Sequence, residues 1–165
     1  MAKKQPTQEY LKSILKYDEK TGIFTWKVSR RCVRAGRVAG YPQNGYTRIK
    51  IDGVHHFAHT LAWLYCHGEY LMVDHRDNDK TNNRIDNLRP CTYSQNRCNT
   101  RRGKNNKLGH KHISIRSDRK DSPSPYRVYI GKIFIGQFQT LEAAIEARDE
   151  ALPKIRGEFA NYDKS

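Results

Sequence analysis

From Arg97 to Lys120 the chain carries nine Lys or Arg residues against one acid, Asp118, a net +8 over 24 residues. Unpaired charge at that density stays in water, because burying it is costly. Its basic side chains therefore stay in water or meet a polyanion, and the stretch joins the chain before it to the chain after it. Gly103, Gly109, Asn105 and Asn106 mark residues 100–109 as the tether itself. The expected organisation is a first module over residues 1–99, a basic linker over 100–109 and a second module over 110–165. Both modules read as α+β.

The whole chain is basic, with 31 Lys and Arg against 17 Asp and Glu among 165 residues, a net charge of +14. That balance calls for a polyanionic partner. Hydrophobic residues make up only 36%, so any core is modest, although ten Tyr, five Phe and two Trp give small sheets something to bury. No run approaches the roughly 18 apolar residues of a membrane span. The opening MAKKQPTQEYLKS has no apolar segment after its lysines, so a cytoplasmic, non-secreted protein is expected. Cys32, Cys66, Cys91 and Cys98 form no CxxC pair, which favours reduced thiols and disfavours structural zinc.

Tyr10, Leu11, Ile14 and Leu15 fall at helical spacing and predict a short helix over 8–18. Lys20-Thr21-Gly22 then turns the chain into a strand, Ile23 to Trp26. Residues 27–39 hold Lys27, Arg30, Arg31, Arg34 and Arg37 without an acid, a solvated loop or an arm that contacts phosphate. Asn44-Gly45 is a turn signal, Tyr46 to Ile51 alternates, and Asp52-Gly53 closes a hairpin to Val54–His56. Ile49 and Ile51 face one way, Arg48 and Lys50 the other. Phe57, Leu61, Leu64 and Tyr65 predict a helix with a buried stripe, stopped by Gly68. Leu71-Met72-Val73 reads as a strand. Thr92 with Gln95 matches a capping box that starts a helix near Tyr93.

The densest chemistry lies in VDHRDNDKTNNRIDNLRPCTYSQN, residues 73–96. Asp74 and His75 are followed by Asn87 and, nine residues later, Asn96. Phosphodiester hydrolysis needs a nucleophilic water, relief of phosphoryl charge and help for the leaving oxygen. Asp74 and Asn96 offer the oxygen ligands that Mg²⁺ or Mn²⁺ prefers. His75 is the candidate general base. Asn87 could hold the ring or the loop by hydrogen bonds. Strand neighbours point to opposite faces, so Asp74 and His75 share a site only if the strand ends or distorts there.

DHRDNDKTNNRIDNLR followed by SQN resembles the HNH nuclease family, in the branch found in phage-type homing endonucleases. YDEKTGIFTWK, NGYTRIKIDG and AHTLAW are similar to the same branch, so the resemblance covers roughly residues 8–100. It implies a ββα-metal fold in which Asp74 and Asn96 bind the ion, His75 activates water and Asn87 braces the hairpin. Asn96 stands where many members have His, which removes nitrogen ligation and weakens any case for zinc. His55, His56 and His59 are read as packing residues.

After the linker, Ile113 and Ile115 alternate with Ser114 and Arg116, and Tyr126, Val128 and Ile130 alternate with Arg127 and Tyr129. Gly131-Lys132 turns into Ile133-Phe134-Ile135. Thr140 is a candidate cap for a helix carrying Leu141, Ala144, Ile145, Ala151 and Leu152, interrupted by Arg148 and ended or kinked by Pro153. YRVYIGKIFIGQFQTLEAAIEARDEALPKIRGEFANYD resembles the ERF-type (APETALA) DNA-binding domain over roughly residues 108–163. The resemblance implies a small three-stranded antiparallel sheet in the major groove, backed by one helix, with Arg116, Arg127, Tyr129 and Lys132 facing DNA.

The expected protein is a metal-dependent HNH endonuclease, homing or nicking, acting as a monomer on double-stranded DNA with no small-molecule substrate and no membrane. Arg30, Arg31, Arg48, Arg84, Arg97, Arg101, Arg102 and Lys104 are the further candidates for DNA contact. The alternatives are a sequence-specific DNA-binding regulator with an inactive HNH part, and an RNA-binding or ribosome-associated basic protein.

Overall fold

Two turns with positive φ shape the first half of the chain: Asn44 (52°) with Gly45 (79°), and Asp52 (48°) with Gly53 (83°). Asn, Asp and Gly tolerate this left-handed region, so each turn can fold back tightly. The result is a three-stranded antiparallel sheet of β3 (Tyr41–Gln43), β4 (Tyr46–Ile51) and β5 (Val54–Phe57). The computed structural model describes residues 5–29, 33–98, 106, 108–115, 123–160 and 162, with residues 97 and 98 described by backbone alone. Arg30, Arg31, Cys32, Arg101, Arg102, Lys104 and Arg116 lie outside the described residues, as does most of 100–109.

The chain divides into two compact units, Met1–Tyr93 and Ser94–Ser165. The first opens with α1 (Gln8–Ile14), whose N-cap Thr7 accepts a hydrogen bond from the Tyr10 backbone. Helical spacing predicts that this helix continues to 18, but it stops at Ile14. Leu15–Asp18 instead forms β1 and pairs with β2 (Ile23–Trp26), Leu15 opposite Trp26 and Tyr17 opposite Phe24. Leu15 and Tyr17 are buried while Lys16 and Asp18 are exposed, the period-two pattern of a strand. Four apolar positions also fit a helix, and only the partner strand decides between the two.

β5 runs directly into α2 (Ala58–His67), which Gly68 ends in the left-handed conformation with its N–H donating to Leu64 O. Phe57 caps this helix and does not belong to it. Leu61, Ala62 and Leu64 of α2 pack with Leu11, Phe24, Ile49, Ile51, Val73 and Leu88 in one core. Against that core lies a two-stranded hairpin of β6 (Val73–His75) and β7 (Leu88–Pro90). The strand expected at 71–73 is thus shifted two residues along, and Leu71 and Met72 are exposed. The short helix α3 (Tyr93–Cys98) begins where the capping box places it.

The second unit has one three-stranded antiparallel sheet, β8 (Ile113–Ile115), β9 (Tyr126–Ile130) and β10 (Ile133–Phe138), with β9 central. α4 (Leu141–Arg156) starts at Thr140, whose hydroxyl accepts from the Ala143 N–H, as the cap position predicts. Ile113, Val128 and Ala144 form its small core. Ile115, expected to alternate inward with Ile113, is exposed, because β8 ends there opposite the first residue of β9. Pro153 does not end α4. The helix runs three residues further and closes where the Gly157 N–H donates to Pro153 O. A proline forfeits one helical hydrogen bond, which a final turn can tolerate when the stop is set by a later glycine.

Gly22 links the first hairpin to the loop before β7. Its φ is +72°, and a Cβ built there would lie 2.5 Å from the Asn83 carbonyl carbon. Gly22→Ala is expected to destabilise the first unit by about 1–3 kcal/mol, read as a lowered urea midpoint. A midpoint within error of wild type would show that this approach is not tight.

Candidate active site

Val73, Asp74 and His75 are all buried, although neighbours on a strand point to opposite faces. Both faces of β6 are covered, each by different groups. Asp74 lies in register with Arg89 of β7, and its Oδ2 accepts from Arg89 Nε at 3.2 Å and Nη2 at 2.9 Å. The two side chains are almost wholly out of water, 6% exposed for Arg89 and 8% for Asp74. A buried carboxylate needs such compensation.

His75 ends the strand, and its ring turns toward α2 and the following loop. Nε2 is 3.2 Å from Asn83 Oδ1. The His59 ring meets it edge-on at 4.8 Å between centroids, and the Tyr46 ring lies at 6.3 Å. Burial lowers the His75 pKa below the usual histidine value, opposed by the Asn83 hydrogen bond and by the charges of Asp74, Asp77 and Asp79. The imidazole is therefore biased toward its neutral, proton-accepting form at neutral pH. His59 is buried as well, and its pKa is pushed down to about 3 by burial and then by His75. Its Nδ1 has no hydrogen-bond partner among the described residues.

The loop from Arg76 to Asn87 is tied by side-chain amides. Asn87 Nδ2 donates to Asp77 Oδ1 at 2.9 Å and to Asn82 O at 2.8 Å, and its Oδ1 accepts from the Asp77 N–H at 3.1 Å. The Asn87 carbonyl accepts from the Arg76 N–H at 2.9 Å. Of the two roles open to Asn87 in the sequence, holding the ring or holding the loop, these contacts are to the loop. Asn83 bonds His75 and Arg89 bonds Asp74, and neither residue stands out as a site residue in the sequence. Arg89 becomes visible once β6 is paired with β7 in register. No local pattern marks Asn83.

Asn96 is half-buried in α3, in the second compact unit. Among the described residues no cluster of three or more His, Cys, Asp or Glu could hold a metal ion. The candidate ligand set does not depend on such a cluster. One carboxylate and one amide oxygen suit a hard ion that keeps several waters.

The basic residues expected on DNA differ in setting. Arg48 is half-buried, with its guanidinium 4.3 Å from the Phe57 ring centroid, and Arg84 is an exposed partner of Asp86. Arg97 belongs to α3. In the second unit Ser114, Arg127 and Gln137 form one row across the three strands, beside the Tyr129–Phe134 pair at 5.0 Å. Tyr129, Phe134 and Lys132 are exposed, and Arg127 is half-buried. Arg148 is buried instead, donating to Asp149 Oδ1 and Lys111 O.

Residues 56–98 match the model of a family described as HNH endonuclease. The likeness to that family is confined to this stretch, which holds Asp74, His75, Asn87 and Asn96. No curated protein and no solved structure matches the chain. Among the described residues no helix is long and apolar enough to cross a membrane.

Arg89→Leu leaves the Asp74 carboxylate buried without its cation, at an expected cost of about 3–5 kcal/mol. The double variant Asp74→Asn, Arg89→Leu is expected to recover most of that loss in chemical denaturation. A cost near zero for the single variant would remove the ion pair from the structural account. His59 gives a pH prediction. It stays neutral in the fold down to about pH 3, whereas in the unfolded chain it takes up a proton near its ordinary value of about 6.5. Protons therefore favour the unfolded chain, and stability is expected to fall as pH drops from about 6.5 toward 3. His59→Phe should flatten that decline, as measured by urea midpoints at neutral and acid pH.

Proposed function

We propose that this protein is a metal-dependent endodeoxyribonuclease that hydrolyses phosphodiester bonds in double-stranded DNA. The observation that carries the reading is a buried imidazole, His75, at the end of β6 beside Asp74, inside the stretch that matches the HNH endonuclease family. In this reading His75 is the general base, and takes a proton from the attacking water. Asp74 and Asn96 would be the protein oxygen ligands for one Mg²⁺ or Mn²⁺ ion, and zinc is disfavoured because both offer oxygen and neither sulfur nor nitrogen. The bound ion would supply relief of charge on the phosphoryl oxygens. Arg89 holds the Asp74 carboxylate in place, and Asn87 holds the loop that carries Asn83.

Water attack that displaces the 3′ oxygen leaves 5′-phosphate and 3′-hydroxyl ends. One such site in a monomer cuts one strand, so nicking is the expected primary event. Residues 110–165 are the proposed DNA-binding domain, consistent with the resemblance to the APETALA class. Its sheet offers an open face with Arg127, Tyr129 and Lys132 available to phosphate or base edges. The basic residues 97–109 add affinity without sequence information. Mobile-element homing fits the resemblance to the phage-type branch.

Cleavage of supercoiled plasmid carrying the protein's own gene region tests the reading. Mg²⁺ is expected to support conversion to open circle and EDTA to abolish it, while His75→Ala should lower the rate by at least about 10²-fold. Ends bearing 3′-phosphate would overturn the proposed chemistry. Retardation of DNA in a gel without scission under any condition would instead identify a DNA-binding regulator with a silent nuclease domain. Binding of the full chain should weaken steeply with added salt, through counterion release.

A further inference from the structure

Asn83 is buried, yet nothing in the proposed chemistry requires it. Its backbone is clamped from behind by the first hairpin. The Tyr17 hydroxyl donates to Asn83 O at 2.7 Å, and Gly22 approaches so closely that no Cβ fits between them. Its side chain then bridges two groups. Nδ2 donates to Thr81 O at 3.1 Å, and Oδ1 is 3.2 Å from His75 Nε2.

The chemistry of an amide fixes the direction of both contacts. Only the NH₂ end can donate to the Thr81 carbonyl, so the oxygen end must face the imidazole. An amide oxygen only accepts. His75 Nε2 must therefore carry a hydrogen, and in the neutral ring the lone pair is on Nδ1. Packing opposes a ring flip that would exchange the two nitrogens, since His59 stands edge-on to the ring and Tyr46 flanks it.

We infer that Asn83 is a positioning residue that sets the tautomer of His75, so that Nδ1 is the atom that takes the proton from water. The inference rests on the nuclease reading for its catalytic half only; the tautomer itself is a property of the metal-free protein. It also gives the first hairpin a role at the site. Tyr17 and Gly22 hold Asn83, Asn83 holds His75, and a contact about 60 residues away in sequence thereby reaches the reacting nitrogen. Such indirect partners of a catalytic group typically change activity by about 10- to 100-fold when removed.

The test uses ¹⁵N NMR of the imidazole rings in the full-length, metal-free protein, at a pH where the ring is neutral, with His75→Gln to assign the signals. Wild type is expected to show a protonated Nε2 and an unprotonated Nδ1 at His75. Asn83→Leu, which has no acceptor, should lose that preference while the Tyr17 and Gly22 backbone contacts keep the fold, as checked by amide spectra. Asn83→Asp, whose oxygens still accept, should retain it. In plasmid cleavage Asn83→Leu should lower kcat about 10- to 100-fold with KM for DNA unchanged, and Asn83→Asp should recover part of the loss. A protonated Nδ1 in wild type, or an unchanged tautomer in Asn83→Leu, would overturn the inference. The expected tautomers together with no cleavage by wild type would leave Asn83 as the group that orients His75 and overturn the assignment of Nδ1 as a base, and with it the nuclease reading.

Discussion

The shape of the Arg76–Asn87 loop depends on two buried amides, and the candidate site depends on the loop. Apart from Ile85, which packs on the core, the segment has almost nothing apolar to anchor it. Asn87 ties its two ends together through Asp77 and Asn82, and Asn83 ties its middle to Thr81 and His75. A loop held by polar contacts is stable only where each donor meets an acceptor away from competing water. The Tyr17 hydroxyl bond and the close approach of Gly22 help to provide that shelter. Remote packing and local chemistry are thereby coupled.

The same economy governs charge in the first unit. Asp74 is buried with its counter-ion supplied by the facing strand, so the hairpin register is also an electrostatic match. A slip of one residue between β6 and β7 would leave a carboxylate and a guanidinium buried apart. His75 and His59 are handled in the opposite way. Burial keeps both rings inclined to the neutral form, with no cation needed between them. The second unit follows a simpler plan, a helix on one face of a three-stranded sheet, with aromatic and basic side chains on the other.

Much of the local architecture was legible before any coordinates. Asn44-Gly45 and Asp52-Gly53 mark the two tight turns, the Ile49/Ile51 alternation marks a half-buried strand, and Gly68 and Thr140 mark helix ends. Each of these is a short-range effect, written in the conformational freedom of one or two residues. The misreadings share a cause. Leu15 continues a helical stripe as well as it begins a strand, and of the two effects open to Pro153, ending or kinking the helix, the first does not occur, because the stop is set at Gly157. Leu71 and Met72 look like strand because they are apolar, but the pairing that defines β6 begins at Val73.

For the site, the sequence by itself determined the candidates: Asp74, His75, Asn87 and Asn96 are an unusual set of oxygen and nitrogen donors at fixed spacing, and composition alone calls for a polyanion. Only the tertiary structure decided what surrounds them. It gave Asp74 to Arg89, put His59 and Asn83 on the His75 ring, and turned Asn87 toward the loop. The physical reason is range. A donor's chemistry belongs to its own side chain, whereas its charge partner, its tautomer and its exposure are set by groups that meet it only after distant segments of the chain have packed together.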